Sequence, residues 1–372
     1  MEESCLSKPH FRVSAELLKA ADIAVNEVLG VKKDEHVLII TNPVRDVHRI
    51  SQALYLASSN VDALPTLMVQ PKKTTFDLAE PAVINAIKSE PEVAISLSAE
   101  RLGKDKEGLA NPYKGLDGKT YTHIFSQLLR GVKKIRAFWS PTVTTDMFTR
   151  TVPIDYPALQ KTTAKVAEIM KDAAEVNVKT ALGTDVTFGI KRRKPMTDDG
   201  DFKTPGKGGN LPCGEVYISP TLGTATGTIV FDGSITLERT LIIKEPVKVA
   251  VKEGFVTEVD GGEEAGKLEA YIRKAEKKPF KMAKKGELAK EKAIEYAKNA
   301  RNIGEFGIGL NPKAKIIGNV LEDEKVLGTI HFAIGSNYDQ DALALIHSDG
   351  IVKNPTVTVD GKPLMKKSKL QI

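Results

Sequence analysis

Four short apolar runs constrain this chain most. HVLIITNP (36–43), ALPTLMVQ (63–70), EVAISLS (92–98) and KIRAFWSP (134–141) each read as a β-strand. Helix-like stretches stand before and between the first three: VSAELLKAADIAVNEVL (13–29), DVHRISQALYLASS (46–59) and EPAVINAIKSE (80–90). Their apolar residues recur at helical spacing. Strands joined by crossovers of this length pair in parallel, and a parallel sheet needs cover on both faces. The first half therefore predicts an α/β layer structure.

The texture changes after about residue 172. VNVKTALGTDVTFGI (176–190) predicts a hairpin turning at Gly183, Thr184 and Asp185. A Gly- and charge-rich loop spans 191–209. VYISP, GTIVFDG, LIIKEPVKVAVKEG and FVTEVDG follow as short runs with turns between them, the pattern of antiparallel strands. Two helical stretches, 263–277 and 287–302, interrupt this series before LGTIHFAIG and ALALIHSDGIV resume it. The expected fold is an α/β N-terminal domain with a mostly parallel sheet (1–172), then a mixed α+β C-terminal domain carrying a metal site (173–372). A length of 372 residues suits two such cores.

Composition removes several function classes. No run of about 18 apolar residues exists, so no membrane span is expected. The leading MEESCLSKPH lacks the basic-then-apolar order of a signal peptide. The two cysteines, Cys5 and Cys213, are far apart in sequence, which disfavours a disulfide framework and points to a reducing cytoplasm. The net charge of +6 is concentrated in KRRK (191–194), KKPFKMAKK (277–285) and KKSK (366–369). None is interleaved with aromatics for base stacking, so these read as solvated surface and a nucleic-acid partner is not expected.

Several motifs fail on inspection. GLDGKT (115–120) lacks the upstream glycine of a phosphate loop, because that position is Tyr113. GKGGN (206–210) does not join a clear strand to a helix. Cys213, between Pro212 and Gly214, has no nearby histidine to serve as base.

One constellation survives. The chain has six histidines, and His331 and His347 fall in one short region rich in oxygen donors. His347 and Asp349 stand two apart in LIHSDGIV, so on a strand they share a face. A Gly-Ser-Asn turn could bring GTIHFAIG alongside, with Tyr338 ending it. Glu305 in RNIGEFGIGLNP and Glu215 in NLPCGEVYISP both follow a glycine directly, which lets backbone and cation approach closely. Singly, a histidine on an apolar run is most often a satisfied core residue, and an acid beside glycine a turn residue. Together, histidines with apolar flanks and clustered acids make more sense sharing cations, since an unpartnered buried charge costs several kcal/mol.

At these residues the sequence resembles the thermophilic metallo-aminopeptidase family of the aminopeptidase T and aminopeptidase S type. The resemblance rests on NLPCGEVYISP, IGEFGIGLNP, GTIHFAIGSNYD and IHSDGIV in that order, with GTDVTFGI (183–190) and PTVTVDG (355–361) on either side. It covers most of the chain after about residue 175. It implies metal ligands at Glu215, Glu305, His331, Tyr338, His347 and Asp349, with Glu215, Glu305 and Tyr338 carrying catalysis. Six such ligands exceed one zinc and suit two divalent cations, zinc, cobalt or magnesium. Either Glu305 or Glu215 would bridge them, a metal-bound hydroxide would attack, and Tyr338 would ligate or stabilise the oxyanion. The implied function is release of N-terminal residues from peptides with a free N-terminus, by a homodimer. Two departures stand out: the Lys-rich helical segment within 264–300 is long, and the turn from Tyr338 to His347 is short.

Two other readings stay open. His331, His347 and Asp349 form a two-histidine, one-carboxylate set suited to Fe(II). A ring-cleaving dioxygenase class uses such a set on a similar scaffold. A non-catalytic binding protein that engages a partner through its basic patches is the third.

Overall fold

The computed structural model describes residues 11–372; Cys5 and His10 lie outside them. The chain divides into two compact units. Among the described residues, the first comprises the chain through Tyr156 and Asp199–Cys213, the second Pro157–Asp198 and Gly214–Ile372. The single boundary expected at 172/173 thus differs from the observed division, which the chain crosses more than once. The reason is local: Gly208–Asn210, whose two glycines close the expected 191–209 loop, pairs in parallel with Arg136–Trp139 and extends the sheet of the first unit.

That sheet is parallel throughout. Its order is Gly208–Asn210, Arg136–Trp139, Val93–Leu97, His36–Thr41, Leu64–Val69. Four of these strands are the four apolar runs of the sequence. The helix Arg45–Asn60 buries Val47, Ile50, Leu54 and Ala57 at helical spacing. The helix Pro81–Lys88 opens on proline, whose missing N–H would have no partner there anyway. Arg136 is buried at the start of its strand, where its guanidinium donates to the carbonyls of Leu29 and Gly30 and pairs with Glu35.

The second unit is built on two antiparallel sheets. One has seven strands, in the order Thr240–Ile242, Ser234–Thr236, His347–Val352, Ile330–Gly335, Ile303–Gly309, Glu215–Ile218, Met196–Asp198. The other has eight and contains the expected hairpin, Glu175–Lys179 paired with Asp185–Gly189. Phe188 of the larger sheet packs against Phe306 and Phe332 of the smaller one, with ring centroids 5.1 and 5.7 Å away. The Lys-rich segment forms two helices, Glu263–Lys284 and Lys290–Asn299. Arg301 ties the first of these down through Glu269 and Glu276 at 2.8 and 2.7 Å. Among the described residues no helix is long and apolar enough to cross a membrane.

Candidate metal centre

Four adjacent strands of the seven-stranded sheet supply the centre: His347–Val352, Ile330–Gly335, Ile303–Gly309 and Glu215–Ile218. Alternation does the sorting. Phe306 and Phe332 turn to the core between the sheets, so Glu305, Gly307 and His331 emerge on the opposite face. His347 and Asp349 share a face, as their spacing predicts. Gly307 lies directly across from His331, and a Cβ there would sit 2.0 Å from the imidazole Nε2. Gly307, two residues after Glu305 on the same face, therefore makes room for a histidine. Gly214, at φ +124°, occupies backbone space closed to side chains and starts the strand on Glu215.

The side chains form two groups, each with ligand atoms within 4.8 Å of one another: Glu215 with Glu324 and His331, and Glu305 with His347 and Asp349. Glu305 links them. Its Oε1 lies 3.3 Å from His331 Nε2 and its Oε2 2.9 Å from His347 Nε2. His347 Nε2 is also 3.2 Å from Asp349 Oδ1, and His331 Nε2 is 3.6 Å from Glu215 Oε2. His347 Nδ1 is 2.9 Å from the carbonyl oxygen of Ser336, which can only accept, so Nδ1 carries a proton. That contact fixes ring orientation and leaves Nε2 for the centre, the usual arrangement behind a ligating histidine.

Five of the six residues named from the sequence thus converge. Tyr338 stands at the rim, half exposed. Its ring packs on Tyr217 at 4.9 Å and on His347 at 5.4 Å. Its short turn is braced by Arg193, which pairs with Asp341 at 2.8 Å and Asp339 at 3.5 Å, and by Asn337, which donates to Asp341.

Sequence reasoning missed Glu324 and Lys325. Lys325 is fully buried, and its ammonium lies 2.7 Å from Glu215 Oε1, 2.5 Å from Glu324 Oε1 and 3.7 Å from Asp198 Oδ2. The signal was present in LEDEKVLG, an acidic run with one lysine just ahead of an apolar strand, but such a run normally faces water.

Electrostatics follow from this packing. Burial pushes the Glu215 carboxyl up to about 8, with Lys325 opposing the rise and Glu324 and Glu305 adding to it. Burial also acts to raise Glu305, but the hydrogen bonds and positive charge of His331 and His347 prevail and hold it at about 2. Burial works to deprotonate His331, yet Glu305 outweighs it and the pKa rises to about 9. His347 is likewise raised, against burial, by Asp349 and Glu305. Lys325 stays charged: burial disfavours its ammonium, but Glu215 and Glu324 more than compensate.

Glu215 Oε2, His331 Nδ1 and Asp349 Oδ1 are buried without a hydrogen-bond partner among the described residues. Asp349 Oδ1, 3.2 Å from His347 Nε2 but accepting no hydrogen bond, stands beside Glu305 and His347 and fits a divalent cation, which would satisfy that acceptor. The fold and this centre define a two-domain protein whose antiparallel domain presents a candidate imidazole–carboxylate metal site.

The chain belongs to the family described as NicX, 2,5-dihydroxypyridine 5,6-dioxygenase, whose profile matches residues 141–372, more than half of the sequence. The 2,5-dihydroxypyridine 5,6-dioxygenase of Pseudomonas putida is 28% identical over 106 residues, covering 28% of this chain and 30% of that protein. The match therefore spans under a third of that relative's length. The solved 2,5-dihydroxypyridine dioxygenase of Pseudomonas putida KT2440 superposes with a TM-score of 0.71 at 16% identity, covering 96% of this chain and 98% of the other. AmpT from Thermus thermophilus gives 0.64 at 16% identity, with 96% and 99% covered. These two likenesses establish a shared two-domain fold.

The resemblance to aminopeptidase T therefore holds for the fold, and the activity inferred from it does not. Membership in a dioxygenase family overturns the expected aminopeptidase, protease and hydrolase. The motifs behind that expectation describe strand ends that hold acids and histidines, and unrelated chemistries use such a frame.

Proposed function

We propose that this protein is a ring-cleaving dioxygenase acting on a hydroxylated pyridine, with one Fe(II) held by Glu305, His347 and Asp349. Family membership supports the reaction class. The observation that carries the metal count is Lys325. Its ammonium already pairs with Glu215 and Glu324, so the half of the centre that a second divalent ion would need holds a built-in cation. A single metal replaces the pair of zinc, cobalt or magnesium ions expected from the sequence. His347 and Asp349 also belong to the set of His331, His347 and Asp349 read from the sequence, and Glu305 lies between the two histidines.

Iron bound there would supply the activation of dioxygen for insertion into the ring. The chain's own groups do the rest. Ser336 holds His347 in the ligating tautomer. His331, protonated and hydrogen-bonded to Glu305, orients that carboxylate and keeps it ionised. Tyr338 and Tyr217 offer adjoining ring faces at the rim, against which a flat substrate can stack. The charge of Glu305 raises the Tyr338 phenol well above its ordinary range, so it stays protonated and can donate a hydrogen bond to a substrate oxygen.

The test is oxygen uptake by Fe(II)-loaded protein given 2,5-dihydroxypyridine and related dihydroxylated rings. One dioxygen should be consumed per ring opened, with activity lost on chelation and restored by Fe(II). Glu305→Gln should reduce turnover on the order of a hundredfold and weaken iron binding. Folded, iron-loaded protein that leaves dioxygen untouched with every such ring would end the proposal.

A further inference from the structure

The first unit contains a cavity of about 580 Å³, within the range of small-molecule sites. It is lined by Ser96 and Ser98 from the end of the strand Val93–Leu97, by Trp139 and Pro141 from the end of Arg136–Trp139, and by loops that include Thr74 and Arg101. These are the carboxyl ends of parallel strands. The chain runs from His36–Thr41 outward to Leu64–Val69, then returns to Val93–Leu97 on the other side of its first strand. Crossovers thus reverse direction beside the cavity, where open α/β sheets bind ligands.

The lining has a definite chemistry. Phe125 and Trp139 meet edge to face, with centroids 6.2 Å apart, and form an aromatic wall. Ser96 and Ser98 are buried, with hydroxyls 3.2 Å from each other. One hydrogen bond between them uses one proton, which leaves the second hydroxyl proton to donate. Arg101 and Arg130 are exposed lining residues with no ion pair among the described residues. Glu100, the one acid in the lining, is neutralised by Lys72 at 2.5 Å. His123 is committed elsewhere: its Nδ1 accepts from the Phe125 N–H at 3.1 Å, so its Nε2–H faces the Gly103 carbonyl at 3.2 Å.

We propose that this cavity is a second ligand site, separate from the metal centre, for a small aromatic carboxylate: a flat ring against Trp139 and Phe125, its carboxylate on Arg101 and Arg130. A phosphate ligand fits less well. The loop after Val93–Leu97 has a single glycine, Gly103, and leads into a helix of only five residues, Lys106–Ala110, so this loop is not the glycine-rich turn into a long helix that cradles phosphate. The site does not depend on the oxygenase reading, and its test does not use activity.

Trp139 is the chain's only tryptophan, so its emission reports on the cavity directly. Benzoate titrated into the full-length protein should change that emission saturably, at micromolar to millimolar concentrations. Benzyl alcohol, of the same shape without the charge, should not. Replacing both arginines (Arg101→Gln with Arg130→Gln) should weaken benzoate about tenfold or more, with the circular dichroism unchanged. Ser98→Ala, read by titration calorimetry, gives a second measure should the double variant misfold, and should also weaken binding. No saturable response to benzoate, equal affinity for benzyl alcohol, undiminished binding in the variants, or a response to adenosine monophosphate alone would each overturn the assignment.

Discussion

Lys325 shows how far one residue can depart from its sequence appearance. Lysine beside acids reads as surface charge, yet this one is fully buried. An ammonium withdrawn from water costs several kcal/mol unless paired and hydrogen-bonded, and here Glu215 and Glu324 do both. Lys325→Met should accordingly destabilise the second unit by about 3–5 kcal/mol. It would also free Glu215, Glu324 and His331 for a metal, so the bound divalent ion should rise from one per chain to two, and added metal should recover part of the lost stability. Metal analysis and urea unfolding would check both effects; an unchanged metal count with unchanged stability removes the built-in-cation role. Glu305 was legible in the sequence because glycine brackets it. Glu324 was not, because Glu322 and Asp323 of the same run are buried as well, and nothing in LEDEKVLG marks which acid reaches the centre.

At the scale of elements, the strand Ile303–Gly309 depends on what its glycines leave out. Gly307→Ala would place a methyl carbon on His331 Nε2, at 2.0 Å, and the imidazole must move. The expected result is a loss of about 1–3 kcal/mol from overpacking, with weaker metal binding. Gly266, inside the helix Glu263–Lys284, is the control, because a Cβ there meets nothing within 4 Å. Gly266→Ala should stabilise by about 0.4–1 kcal/mol, mainly by restricting the unfolded chain. Urea midpoints of the two variants should move in opposite directions. If Gly307→Ala is neutral for both stability and metal affinity, the close approach does not govern the centre. The strands themselves were readable from alternation. Which strands become neighbours was not: Glu215–Ile218 and Ile303–Gly309 pair across the whole of the intervening chain from 219 to 302.

One part of the molecule's pH dependence belongs to the first unit. Burial lowers the His123 pKa below its ordinary 6.5, against the pull of Asp105 and the Gly103 carbonyl. The unfolded chain then binds more protons than the folded one between the two values. Stability is complete above about 6.5 and declines as pH falls through the folded pKa. Unfolding followed by Trp139 emission should show that decline. His123→Asn, which can still cap the Phe125 N–H, should flatten it; an unaltered slope would assign it to other groups. By itself the sequence determined the parallel sheet, the antiparallel second unit and the strand ends bearing Glu215, Glu305, His331, His347 and Asp349. Those features follow from local periodicity and from glycines beside acids, which short windows of sequence contain. Tertiary structure alone decided that Gly208–Asn210 completes the first sheet, that Glu305 lies between the two histidines, and that Lys325 neutralises half of the centre. Each of these depends on which distant segments share a buried, low-dielectric space, where pairing of charge outweighs every local preference.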